Sequence, residues 1–290
     1  MATTVRSTPL IPPKAPNLMI GPVDYTQQFM DQYSNVLRLY FNQIDNGMAS
    51  LLGPAGGSLL EFPNGAFHQD GYTTLSVNIT NTSTTPIQVA STSGFLTSGA
   101  IIIQDEVIKY TNITATTFTG ITRGAYGSTA KAHNAGVYVS EAQPVPSNTT
   151  ALTVTFTATD TSNQVSIDST DKTKIVFDVA GYYNIQFSLQ LLSFDSQIDD
   201  VTLWFRQNGV DVDNSAGVIS IPAIHAGRPG AAIVSWNLVL PINAGDYIQL
   251  LMASASGNTL AATYPPGTAP VHPASPSIIL TATFVSALYP

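Results

Sequence analysis

Few side chains in this sequence have the chemistry to bind an ion or catalyse, and most of those fall in one stretch. Asp195, Asp199, Asp200, Asp211 and Asp213 sit close together, and "DVDN" at 211–214 sets oxygen atoms at alternate positions. Calcium draws its oxygen ligands from such loops, so Asp199, Asp200, Asp211 and Asp213 are candidate cation ligands. Against that stands the commoner state of loop carboxylates, which is simple solvation. The same residues would also supply the acid and base of a glycosidase, but their spacing sets no separation between the two carboxyl groups. His68, His133, His225 and His272 are too scattered for ligand spacing, and H-E-x-x-H is absent. Each is expected in a turn or on the surface. A G-x-S-x-G elbow, a P-loop and a dinucleotide fingerprint are also missing. The expectation is a protein that is not an enzyme and has no cofactor.

The composition narrows the class of partner. Of 290 residues only 10% are charged, and 18 acidic against 10 basic groups give a net charge of −8. Residues 1–60 are balanced: Arg6, Lys14 and Arg38 against Asp24, Asp31 and Asp45. The excess therefore lies in residues 61–290, and an acidic body without a basic stripe repels phosphates, so nucleic acid is not an expected partner. No apolar run of membrane-spanning length occurs, and no membrane is expected. The chain has no cysteine, which rules out disulfides and thiolate metal sites. "MATTVRSTPLIPPKAPNLM" lacks the apolar stretch of a signal peptide. Action outside a cell would then require another exit route, such as lysis. The sequons at Asn78, Asn81, Asn112 and Asn148 read as chance matches in Thr- and Asn-rich strands.

Aromatic and aliphatic residues make up 44% of the chain together with alanine, among many Gly, Pro, Ser, Thr and Asn, which is the profile of a mainly β protein rich in turns. Residues 1–21 carry Pro9, Pro12, Pro13 and Pro16 and read as an extended arm, either loose or laid along a neighbouring subunit. Residues 22–47 read as one amphipathic helix, with Asp24 as cap, Gln27 in capping-box position and Asn46-Gly47 as the stop. Phe29, Tyr33, Val36, Leu37, Tyr40, Phe41 and Ile44 form its apolar stripe. The stripe either folds back on this chain's own β-structure or meets other copies or another protein. The flanking segments, including 48–63, read as tethers and favour the second.

Residues 64–142 read as a small β-module, with alternation at Ile87-Val89, Val107–Tyr110 and Phe118–Ile121. Its skeleton, "EVIKYT" followed by "FTGITRGAYG" and "AHNAG", resembles a β-module that recurs in bacteriophage virion proteins. The resemblance covers about fifty residues and implies a spacer or docking unit in a virion. Residues 143–290 follow a Pro-containing linker and read as strands about every ten residues, a sandwich or jelly roll.

"FDVAGYYNIQFSLQL", "LWFRQNGVDV", "SWNLVLPINAGDYIQLLM" and "ILTATFVSALYP" resemble, in order, the strand motifs of the complement globular head and tumour necrosis factor-like superfamily. The matching positions are Gly181, Tyr183, Asn208, Gly209, Gly245, Asp246 and Phe284. The proline usual before the first glycine is missing, and 213–232 is unusually rich in Gly, Pro and Ala, which puts the loops in question. The resemblance implies a jelly-roll head that forms a homotrimer, holding three helices side by side. The resulting expectation is a non-enzymatic structural protein of a phage virion: a trimeric capsid decoration, cement or short fibre, attached to capsid or tail proteins through residues 1–60. The alternative is a receptor-binding adhesin that grips a host surface glycan or protein through loops such as 262–273, with Tyr264 in the grip.

Overall fold

The structure, a computed structural model, describes residues 13–18, 20, 23–24, 26–52, 62–147, 149–268 and 270–288. Most of the expected arm, the greater part of the tether 48–63 and the sequon at Asn148 lie outside the described residues. The chain forms two compact units, residues 1–62 and 63–290.

Among the described residues the first unit contains one helix, Gln27–Leu52, about 39 Å long at 1.5 Å per residue. It starts later and ends later than 22–47. Thr26, not Asp24, sits at the N-terminus, where its hydroxyl accepts from the Phe29 N–H at 3.3 Å. Gly47 lies inside the helix; an interior glycine costs about 1 kcal/mol relative to alanine, too little to stop a helix continued by Met48 and Ala49. Neither the first turn nor the last carries a charge that would complement the macrodipole. Phe29 and Tyr33 stack one turn apart with ring centroids at 6.1 Å. None of the seven stripe residues is buried, and Phe41 is 60% exposed.

The second unit is mainly β. Its principal strands alternate buried and exposed residues, as in Gly181–Ser193 and Asp199–Gln207, so each sheet has one apolar face to cover. Eight of these strands form a sandwich: Asn64–Gln69, Ile175–Phe177, Gly181–Ser193, Asp199–Gln207, Gly217–Ile221, Gly230–Ile242, Tyr247–Ser254 and Ile278–Ser286. Counted in chain order, one sheet runs first, eighth, third, sixth and the other second, seventh, fourth, fifth. That interleaving is the strand order of a jelly roll. Between the sheets lie Tyr183, Ile185, Phe187, Leu203, Phe205, Leu250 and Met252, all buried. Phe187 meets Trp236 at 4.6 Å and Phe205 at 5.7 Å, both edge to face.

This order moves the boundaries expected at 64 and 143. Asn64–Gln69 is not part of the small module; it is the sandwich's first strand. Ala158–Asn163 lies on one side of it and Ile278–Ser286 on the other. At the other end, Tyr138–Pro144 crosses residue 142 and pairs with both Gly99–Ile103 and Thr259–Ala262. Residues 71–142 are thus an insertion after the sandwich's first strand, with its own core of Phe95, Ile101, Ile103, Ile108, Tyr110 and Phe118. Both ends of the insertion return to one ten-stranded sheet.

Candidate functional site

One candidate surface is the outer face of the sheet built from Gly181–Ser193, Gly230–Ile242 and Ile278–Ser286. These three strands contain no Asp, Glu, Lys, Arg or His. Their outward positions expose Ile233 at 69%, Val285 at 56%, Val239 at 53%, Ile279 at 40% and Tyr182 at 36%. Between these lie only neutral polar residues: Asn184 opposite Val239 and Thr283, and Gln186 opposite Asn237 and Thr281. The outer face of the other sheet differs. It exposes Val218 but also carries Asp200 and Arg206, with Asp211 bonded to Arg206 Nε at 2.7 Å. Depletion of charge is a feature that the cores of protein–protein contacts share.

The seven jelly-roll motif residues gather into two clusters. At one, Gly181 lies so close to the Phe284 ring that a Cβ there would collide with it, and would stand 2.9 Å from Ser286 O. Tyr183 packs edge to face between Phe177 and Phe284, at 4.7 and 5.6 Å, and its hydroxyl donates to Val179 O at 2.8 Å. At the other, Asn208 and Gly209 turn the chain at φ 51° and 83°, and Gly245 turns it at φ 86°. The Asn208 amide donates to Asp246 Oδ1 at 2.7 Å, and the Tyr247 N–H donates to Asn208 Oδ1 at 3.0 Å. Burial opposes ionisation of Asp246, but donors from Asn243, Asn208 and Gln207 outweigh it and hold the carboxyl below its usual range.

The aspartates considered as cation ligands are not brought together. Asp199 and Asp200 begin a strand whose Arg206 pairs with Asp211, about 20 Å away at 3.3 Å per residue. Asp199 is fully buried and already satisfied: Ser254 and Thr259 hydroxyls donate to it at 2.6 and 2.5 Å, and the Ser256 N–H at 2.9 Å. The Ser220 hydroxyl donates to Asp200 at 2.5 Å, and Asp213 is exposed. Asp199 therefore ties strand ends together, and no carboxylate pair suited to glycosidase chemistry forms between these two ends of the strand.

Two histidines depart from the turn-or-surface expectation: His68 lies within the strand Asn64–Gln69 with its side chain 16% exposed, and His133 is buried. His133 is 2% exposed, with Nε2 at 2.8 Å from Glu106 Oε2 and Nδ1 at 2.8 Å from Gln104 Oε1. Glu106, fully buried, is also gripped by Arg123 through Nε at 2.6 Å and Nη2 at 2.7 Å, and accepts from the Gly124 and Lys131 N–H groups. Burial works against the charge on Glu106, yet Arg123, Lys131, His133 and Gly124 together hold its carboxyl below the usual range. The "E…R…H" of the module's skeleton is therefore a buried clasp over the loops 120–136. The spacing of those three residues was visible, but nothing local says that they meet.

A second buried acid, Glu141, also escaped the sequence reading. Burial pushes its carboxyl well above the usual range, only partly opposed by donors from Tyr110 and Leu96. The Tyr110 hydroxyl has two acceptors at 2.9 Å, Leu96 O and Glu141 Oε2, and one proton. A protonated Glu141 satisfies both by donating to Tyr110, which then donates to Leu96 O.

No known protein-family model matches the chain, and no curated protein is similar to it.

Proposed function

We propose that the chain is a non-enzymatic structural protein of a phage virion, a homotrimeric decoration, cement or short-fibre protein. In this reading three jelly rolls close over their uncharged sheet faces, and residues 1–60 engage capsid or tail proteins. One observation carries the proposal: the three strands without a charged residue lie side by side and expose Ile233, Val239, Ile279 and Val285. Burying aliphatic area is favourable by about 25 cal/mol per Å2, and no charge on these strands would have to be stripped of water. The helix adds support, since none of its seven stripe residues is buried. Such a stripe gains stability from a partner surface.

Light scattering on the full chain tests the reading. The expected mass is that of three chains, falling to one when Ile233→Asp and Val239→Asp are combined. A monomeric wild type at micromolar concentration would overturn it.

A further inference from the structure

The inserted module and the sandwich share a cleft of about 360 Å3. Ile102 and Leu192 line it, both 7% exposed, together with Gln104, Tyr138, Ser140 and Tyr264. Among the described residues no charged one lines it. Tyr138 is 41% exposed and meets the 40% exposed Tyr72 edge-on at 6.2 Å, so two rings stand half in solvent at this place. Tyr264 is held by paired main-chain bonds with Ser275, each 2.9 Å, which fixes the base of the loop that follows it.

The Thr263 hydroxyl of the cleft is bonded to Gln69, but other polar groups there are unspent. Ser140 is 4% exposed, yet its hydroxyl makes no hydrogen bond among the described residues. No buried side-chain polar atom there lacks a partner, so this oxygen reaches open space, and the space it borders is the cleft. The Tyr138 and Tyr264 hydroxyls are also without partners among the described residues. Gln104 occupies a left-handed conformation at φ 58° that favours glycine, and its side-chain oxygen is taken by His133. Its amide N–H groups remain to donate.

From these features we infer that the cleft binds a neutral pyranose residue of a glycan. A pyranose has one face of C–H groups that packs on a tyrosine ring, and hydroxyls that both donate and accept, as Ser140, Tyr138 and Tyr264 do. An anionic sugar finds no cation in the lining. A purely apolar ligand would leave the Ser140 hydroxyl stranded under it, at a cost of about 1–3 kcal/mol. The volume lies within the usual range for small-ligand clefts, about 300–1,000 Å3. The site belongs to a single chain and stands whether or not that chain assembles into a trimer.

Saturation-transfer NMR on the full chain decides the matter. The probes are methyl glycosides of glucose, galactose, mannose and N-acetylglucosamine, with glucuronic acid and N-acetylneuraminic acid as charged counterparts. At least one neutral glycoside should bind saturably, and neither acid should. Tyr138→Ala should weaken that binding about ten-fold or more, equivalent to about 1.4 kcal/mol. Tyr264→Phe, which keeps the ring, should weaken it a few-fold with an unchanged melting temperature, and it decides the case should Tyr138→Ala misfold. Absence of binding by all four neutral glycosides, or an affinity untouched by Tyr264→Phe and by any folded Tyr138→Ala, would overturn the inference.

Discussion

Asn208 and Asp246, 38 positions apart, close the same end of the sandwich: the amide of one donates to the carboxylate of the other at 2.7 Å. Asn208 does two jobs, because it also holds φ at 51°, where asparagine is tolerated better than most residues. The turn at Asn208-Gly209 and the turn at Gly245-Asp246 therefore act as one unit.

Replacing Asn208 by alanine removes both functions and should destabilise the body by about 1–2 kcal/mol, read from urea unfolding. The Asp246 carboxyl is held low in the fold, so its contribution is present above the unfolded value of about 3.9 and is lost as pH falls through the folded one. The gap between wild type and Asn208→Ala should therefore narrow below about pH 4. A gap of constant size from pH 7 to pH 2.5 would contradict this account of Asp246.

The clasp around Glu106 makes a sharper prediction. Arg123→Met leaves a buried carboxylate without its bidentate partner and should cost about 3–5 kcal/mol. Lys109→Met, at an exposed position on the same hairpin, should change stability by less than about 0.5 kcal/mol. Equal effects of the two substitutions in chemical denaturation would remove the clasp from the account of the module's stability.

Glu141 predicts the opposite pH dependence. Its folded value is raised, so the folded state keeps a proton that the unfolded state releases above about 4.3. The stability linked to that proton is complete below about 4.3 and falls as pH rises toward the folded value. Glu141→Gln keeps a donor and an acceptor for Tyr110 and Leu96 while removing the titration. Its melting temperature should exceed that of wild type at pH 8 and approach it at pH 4. Parallel melting curves across that range would show that Glu141 is ionised in the fold.

A chain beginning at Pro63 separates the roles of the two units. If the uncharged sheet faces drive assembly, this chain remains trimeric by light scattering, and Tyr33→Asp in the full chain leaves both the mass and the melting temperature of the β body unchanged. Loss of the trimer on removing residues 1–62 would move the association to the helix.

Much of the sandwich was legible from residue patterns. "YYNIQFSLQLL" alternates at period two, and the turns at Asn208-Gly209 and Gly245-Asp246 announce themselves by residue type. The first strand was not legible, because what makes Asn64–Gln69 part of the sandwich is pairing with distant segments. The Ser277 hydroxyl bonds to Gln69 O across 208 positions. His133 was misread for the same reason, its partner Glu106 lying 27 positions back. The helix ends were missed by smaller margins, since Asp24 and Thr26 both suit a cap and a single glycine does not decide a stop. The uncharged strands were plain in composition, but only the topology sets all three in one sheet.

The insertion has a consequence for how the protein is made. On the ribosome, Asn64–Gln69 emerges more than two hundred residues before its neighbour Ile278–Ser286. The sandwich therefore stays open at a strand edge until Ile278–Ser286 has been made, while the helix and the inserted module, whose contacts are closer in sequence, are free to form sooner. Pairing over such separations is slow to form, so newly made chains pass through an interval in which the inserted module is closed and the sandwich is not. The rate of translation between these two strands should then set how long that edge is left unpaired.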